Sequence, residues 1–280
     1  MRFLFSLWLL FPVLSCAQAT PVSKQEHTIR PGEVRLVEFP IEEPTADLVC
    51  RDQKVKYSQK EKLGRAIIVE SYFSELRPFT CQLRKDDRVY HELHFKLETK
   101  EFKQEQLKVD GKRIELNPKD QKRAYDEQMV LNQIYDSSLG EFQFSQAFAP
   151  PMKSLVTSVY GIKRVYNKRK LSQHLGIDYR AAVGDKVPAS NSGKIVYSGD
   201  LFYTGWTVII DHGMDIFTVY GHLSKTLVKA GEMVQRGQLI GLSGNTGRTS
   251  GPHLHWGVKV QGQYIDGFSL IDETKKIFKE

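Results

Sequence analysis

The sequence predicts a mostly β protein: a small N-terminal β-sandwich-like domain, a connector with one helix, and a C-terminal antiparallel β domain. Three observations predict it. Short runs rich in β-branched and aromatic residues recur from residue 27 onward, separated by Gly-, Pro- and charge-rich turns. One segment, after Asn117-Pro118, has helical spacing behind a start signal. The 280 residues, 40% apolar and 26% charged, are enough for two modest domains with cores and too apolar for a disordered chain.

The first residues read as an address. Arg2 is followed by an apolar run from Phe3 to Leu14, broken by Ser6 and Pro12, then by Cys16 and Ala17-Gln18-Ala19. A charged start, a short apolar core and an A-x-A site make residues 1–19 a secretory signal peptide. The run is short of the ~20 residues of a membrane span, so no transmembrane segment is expected. Val13-Leu14-Ser15-Cys16 also fits a lipoprotein box, in which case the leader is 1–15 and a lipid anchor sits on Cys16. Either way the chain is expected to be exported, to a periplasm or envelope. Cys50 and Cys81 are then an even pair in an oxidising compartment, for which a disulfide is the natural reading and two buried free thiols the competing one.

Residues 20–100 carry the sandwich-like pattern. Val34, Leu36, Val37 and Phe39 mark one strand and Ala66-Ile67-Ile68-Val69 another. Val89, Leu93, Phe95 and Leu97 fall on one face of a third, opposite Tyr90, Glu92, His94, Lys96 and Glu98. Residues 101–150 form the connector. Asp110-Gly111, between Leu107/Val109 and Ile114/Leu116, marks a hairpin. Asn117 is a good N-cap with Pro118 at the first helical position, and Ala124, Leu131, Ile134 and Tyr135 give the helix an apolar stripe. Residues 151–280 return to strands, expected at Lys194–Ser198, Trp206–Ile210, Phe217–Tyr220, Gln238–Leu242 and His255–Val260, with little helix.

Charge is unevenly placed. After residue 140 there are 17 Lys and Arg against 11 Asp and Glu, so six of the seven net positive charges lie there. A basic second half suggests an anionic partner, for which charge alone admits nucleic acid, anionic lipid or cell wall; the competing reading is a solvated surface that happens to be basic. Five of the eight histidines also lie there. His174 and Asp178 are four apart, and His253 and His255 two apart. Both spacings are even, so on extended chain each pair projects from one face. Imidazole nitrogens with a carboxylate suit Zn²⁺, and three protein ligands beside an open position are the arrangement of a catalytic zinc. His91 and His94, three apart on a strand, face opposite ways and read as structural, as does His212 at a strand end.

These residues sit in a longer pattern. It runs through Ser158–Gly161, His174-Leu175-Gly176-Ile177-Asp178-Tyr179, Val187-Pro188-Ala189 and Gly193-Lys194-Ile195-Val196. It continues with Ile210-Asp211-His212-Gly213, Tyr220-Gly221-His222-Leu223, Gly237–Gly241, Gly244-Asn245-Thr246-Gly247-Arg248 and Gly251-Pro252-His253-Leu254-His255-Trp256. In order and spacing, residues 153–272 resemble the lysostaphin-type (LytM-domain) zinc metallopeptidases. The resemblance implies a zinc-dependent peptidoglycan endopeptidase with a compact antiparallel β fold and the metal in a groove. It implies His174, Asp178 and His255 as zinc ligands and His222 and His253 as the catalytic histidines. The partner is then peptidoglycan and not nucleic acid, and the simple domain plan leans toward D-Ala–diaminopimelate crosslinks.

Two positions depart from the family: Gly257, where many members carry a carboxylate, and Asp266-Gly267, where many have Pro before the Gly. They put the groove's shape in question, not the five site residues. One rival is a catalytically silent module of the same fold that binds the wall or activates another hydrolase; the complete set of five residues argues against it. A phosphocarrier of related fold lacks this H-x-x-x-D and H-x-H pairing.

Overall fold

The computed structural model describes residues 22–107, 116–167 and 170–279. The leader, Cys16 and the Asp110-Gly111 turn lie outside the described residues.

The N-terminal part forms two sheets. Its strands are β1 (Ser23–Ile29), β2 (Val34–Pro40), β3 (Asp47–Cys50), β4 (Gln53–Val55), β5 (Tyr57–Lys60), β6 (Leu63–Val69), β7 (Phe79–Lys85) and β8 (Arg88–Leu97). One sheet runs β1-β8-β7-β3-β4, with β1 parallel to β8; the other runs β2-β6-β5. The three-stranded sheet is buried on both faces. Val37, Phe39, Ala66 and Ile68 enter a core with Leu48, Leu83, Leu93 and Phe95 of the larger sheet. Val34, Leu36 and Ile67 point the other way, into a core with Ile177, Trp256 and Leu270. A strand covered on both sides needs apolar residues at every position, which is why Ala66-Ile67-Ile68-Val69 is a continuous run. Cys50 and Cys81 stand directly opposite each other on β3 and β7, Cα atoms 4.2 Å apart, and form a disulfide.

The connector supplies β9 (Gln104–Leu107) and α1 (Pro118–Tyr135). Asn117 caps α1 through its side chain, which accepts from Asp120 N–H. Most of the helix is exposed. Tyr135 anchors its C-terminal end, buried edge-on against Phe217 at 5.0 Å, with Lys259 Nζ 4.5 Å from its ring centre. Glu127 Oε2 accepts Phe202 N–H at 2.7 Å and braces the next hairpin.

The C-terminal strands are β10 (Val156–Ser158), β11 (Lys163–Tyr166), β12 (Lys170–Gln173), β13 (Ile177–Arg180), β14 (Lys186–Pro188) and β15 (Gly193–Leu201). They continue as β16 (Gly205–Asp211), β17 (Ile216–Thr226), β18 (Met233–Val234), β19 (Leu239–Ser243), β20 (His253–Val260) and β21 (Gln263–Ile265). Ten of them make one sheet with the spine β10-β13-β20-β17-β16-β15-β18; every pairing within it is antiparallel. β9 pairs parallel with β11, so the connector adds a strand beside the C-terminal part.

A second helix, α2 (Gly267–Phe278), was not expected from the sequence. It buries Leu270 and Ile271 against β2 and β20. The Asp266-Gly267 departure serves it. Asp266 is its N-cap, accepting from Phe268 N–H, and lies 3.1 Å from Lys100 Nζ. Gly267 lies so close to Trp256 that a Cβ would meet the indole at 2.4 Å. The N-terminal sheets are tied to this end by Asp266 N–H to Gly32 O (2.7 Å), Gln261 Nε2 to Ile67 O (2.7 Å) and Leu36 N–H to Glu273 Oε2 (3.1 Å). Among the described residues no helix is long and apolar enough to cross a membrane.

Candidate metal centre

Three neighbouring strands build the site. In β13 and β20 the register sets Asp178 opposite His255 and Arg180 opposite His253, and in β17 it sets Gly221 opposite His255. Directly opposed residues share a face, and the H-x-H spacing keeps His253 on the face of His255. His174 arrives differently from the sequence expectation. It is not on one extended strand with Asp178; it precedes a bend at Gly176. Two backbone bonds hold it, His174 N–H to Ile162 O (2.9 Å) and Gly161 N–H to His174 O (2.7 Å).

The result is a tight convergence. Suitable donor atoms of His174, Asp178 and His255 lie within 4.8 Å of one another. Asp178 Oδ1 is 3.0 Å from His174 Nε2 and 2.8 Å from His255 Nδ1, and the two ring nitrogens are 3.3 Å apart. His174 Nδ1 lies 2.9 Å from Val159 O, an acceptor only, so Nδ1 carries a proton and donates. In the neutral ring Nε2 is then a bare lone pair aimed at a carboxylate oxygen. Such an arrangement requires a shared proton or a cation. Zinc bonded at about 2.0–2.1 Å spaces tetrahedral nitrogens about 3.3–3.4 Å apart, close to what these nitrogens show. Burial pushes the Asp178 carboxyl up, but hydrogen bonds and charge from His174 and His255 outweigh it and hold the group ionised, far below the usual carboxylate range. Arg164 Nη2, 3.6 Å from Asp178 Oδ2 and 2.9 Å from Ser158 Oγ, adds positive charge behind it.

Two more histidines stand beside this group. The rings of His222 and His253 are 4.7 Å apart, and His222 is 6.0 Å from His255, centre to centre. His222 Nδ1–H donates to Thr246 O at 2.8 Å and His253 Nδ1–H to Gly251 O at 2.9 Å, which leaves both Nε2 atoms uncommitted to the backbone. Burial, then the charge of His255, pushes the His222 ring down to about 4, so it is neutral at pH 7.

Residues 172–267 match the profile of peptidase family M23. The chain carries a peptidase M23 domain. It is 38% identical over 136 residues to peptidoglycan DD-endopeptidase ShyA of Vibrio cholerae, across 48% of this chain and 32% of the relative. It is 38% identical over 104 residues to DD-carboxypeptidase/endopeptidase Mpg of Neisseria meningitidis, across 37% of this chain and 24% of the relative. The chain thus spans about a third or less of the length of these relatives. A crystal structure assigned to peptidase M23 from Pseudomonas aeruginosa is similar over 87% of this chain and 95% of its own, at 25% identity and a TM-score of 0.68. That likeness extends well beyond the matched M23 segment into the N-terminal sheets.

Within the M23 domain the five residues picked out from the sequence lie together at one face of the sheet. His212 lies apart from them, fully buried, its Nδ1–H on Ser192 O (2.7 Å) and its Nε2 accepting from Thr218 Oγ1 (2.7 Å). His91 is buried and His94 partly exposed, on opposite faces of β8. Three further residues that the sequence pattern does not single out contact the five-residue group: Arg164, Thr204 and Thr246. These contacts come from a neighbouring strand and two loops, which no spacing rule reports.

Proposed function

We propose that this chain is a zinc-dependent endopeptidase that hydrolyses peptide crosslinks of bacterial peptidoglycan, with the D-Ala–diaminopimelate bond as its target, in the periplasm or cell envelope. The observation that carries this is the convergence of His174 Nε2, Asp178 Oδ1 and His255 Nδ1 beside two further histidines in an M23 domain. Residues 151–280 would be the peptidase unit, residues 20–100 a second β unit packed against it, and residues 1–19 a leader or, with cleavage before Cys16, the source of a lipid anchor.

In this reading His174, Asp178 and His255 hold the ion. Bound there, zinc would lower the pKa of a water toward ~7 and polarise the scissile carbonyl. His222, neutral at pH 7, offers Nε2 to take a proton. His253 turns its Nε2 toward the same group, 3.6 Å from Asp178 Oδ1. Protonated, it donates to the developing oxyanion or the leaving amine. The net positive charge after residue 140 suits a polymer rich in carboxylates.

The test is mass analysis of muropeptides after incubation with the full chain, with and without chelator. Crosslinked dimers should fall to monomers, stop doing so with chelator, and resume when zinc is returned. Intact crosslinks at full zinc would favour the silent module instead.

A further inference from the structure

His222 occupies an unusual backbone conformation. Its φ is +59°, in the left-handed region that non-glycine residues seldom adopt and that persists only where the surroundings enforce it. Two loops do so here. From the turn between β15 and β16, Thr204 O accepts His222 N–H at 2.6 Å. From the loop after β19, Thr246 O accepts His222 Nδ1–H at 2.8 Å.

Thr246 ties these loops together. Its hydroxyl donates to Leu223 O at 2.6 Å and accepts Trp206 N–H at 2.9 Å. Trp206 and Leu223 are partners across β16 and β17, next to a register shift in that pair. One hydroxyl therefore bridges the two strands at the irregularity beside His222. The loops meet backbone to backbone at Gly205 and Gly247, both left-handed at φ +60° and +73°. A Cβ on Gly205 would lie 2.5 Å from Gly247 N, and one on Gly247 2.3 Å from Gly205 N. Arg248 N–H closes the contact on Tyr203 O at 2.9 Å.

We propose that Thr246 is a positioning residue for His222: its hydroxyl fixes the loop whose carbonyl sets the imidazole's tautomer and aims Nε2 at the metal site. Its hydrogen bonds run to Trp206, Leu223 and His222, so it acts on the site through His222. The inference rests on the proposed role of His222.

The test compares wild type, Thr246→Val and Thr246→Ser in the full chain. Valine keeps the shape and loses both hydrogen bonds; serine keeps both. Thr246→Val should lower kcat about 10- to 100-fold, the scale of a misplaced catalytic group, with KM and bound zinc unchanged. Thr246→Ser should recover most of kcat. Independently of turnover, ¹⁵N spectra of the His222 ring should show a single Nδ1–H tautomer in wild type and Thr246→Ser and a mixture in Thr246→Val. An unchanged kcat and tautomer in a folded Thr246→Val would overturn the inference. So would a loss of activity matched by loss of zinc or of folding, with serine no better than valine. An inactive wild type with an ordered His222 tautomer would instead count against the proposed function and leave the positioning to be read from the spectra.

Discussion

Asp178 and His255 face each other across β13 and β20, Oδ1 and Nδ1 2.8 Å apart, so the ladder register itself sets two of the three proposed ligand atoms. Gly176 lies beneath this pair. A Cβ there would come 2.6 Å from His255 Nε2 and 2.9 Å from Trp256 O, and a backbone carbonyl cannot step aside. Gly176→Ala should therefore push on His255, weaken zinc binding at least about tenfold, and cost about 1–3 kcal/mol of stability. Chelator competition and urea unfolding check this; unchanged zinc affinity would show that His255 is not held by that contact.

The Cys50–Cys81 disulfide closes a loop of sequence separation 31 between strands of one sheet. The chain-entropy estimate for such a loop is about 3–4 kcal/mol. Replacing both cysteines by alanine should lower the urea midpoint of the N-terminal part correspondingly. A midpoint equal to wild type under oxidising conditions would contradict it.

His212 makes stability depend on pH. Burial pushes its ring down to about 4 from an ordinary 6.5, so the folded chain holds it neutral while the unfolded chain protonates it near 6.5. Its contribution is complete above pH 6.5 and is lost as pH falls toward 4, by about 3 kcal/mol. His212→Asn should thus show a shallower loss of stability than wild type between pH 7 and pH 4. Parallel pH profiles would refute the assignment.

Val34, Leu36 and Ile67 share one core with the M23 domain, and buried Glu273 of α2 pairs with Arg35 at 3.4 Å. A fragment of residues 151–280 would expose that face and leave Glu273 without Arg35. It should melt well below the intact chain in calorimetry; an equal transition would show that the two parts fold independently.

The legible features were those fixed by local pattern. β6 announced itself by a continuous apolar run and α1 by Asn117-Pro118, and the five proposed site residues, which the fold brings together, by a long ordered motif. What stayed hidden depends on tertiary contact. β1, β4 and β5 are edge strands with most residues exposed or half-buried, so they are polar, and Ser23–Ile29 carries no apolar rhythm. α2 has no start signal that the family pattern shows: Asp266-Gly267 is a departure from that pattern, yet Asp266 is the helix N-cap and Gly267 a seat for Trp256. His174 reaches Asp178 around the bend at Gly176 and not along a strand. The left-handed φ of His222 and the bridge made by Thr246 leave no trace in the order of residues.

The most direct test measures bound zinc and crosslink cleavage on the same samples of wild type, His255→Ala and His222→Ala. The account predicts zinc and activity in wild type and neither in His255→Ala, since a three-ligand site cannot readily lose one. It predicts near-full zinc in His222→Ala, with turnover about 10²–10⁴-fold lower. Loss of zinc from His222→Ala, or a fully zinc-loaded wild type that leaves every crosslink intact, would contradict it.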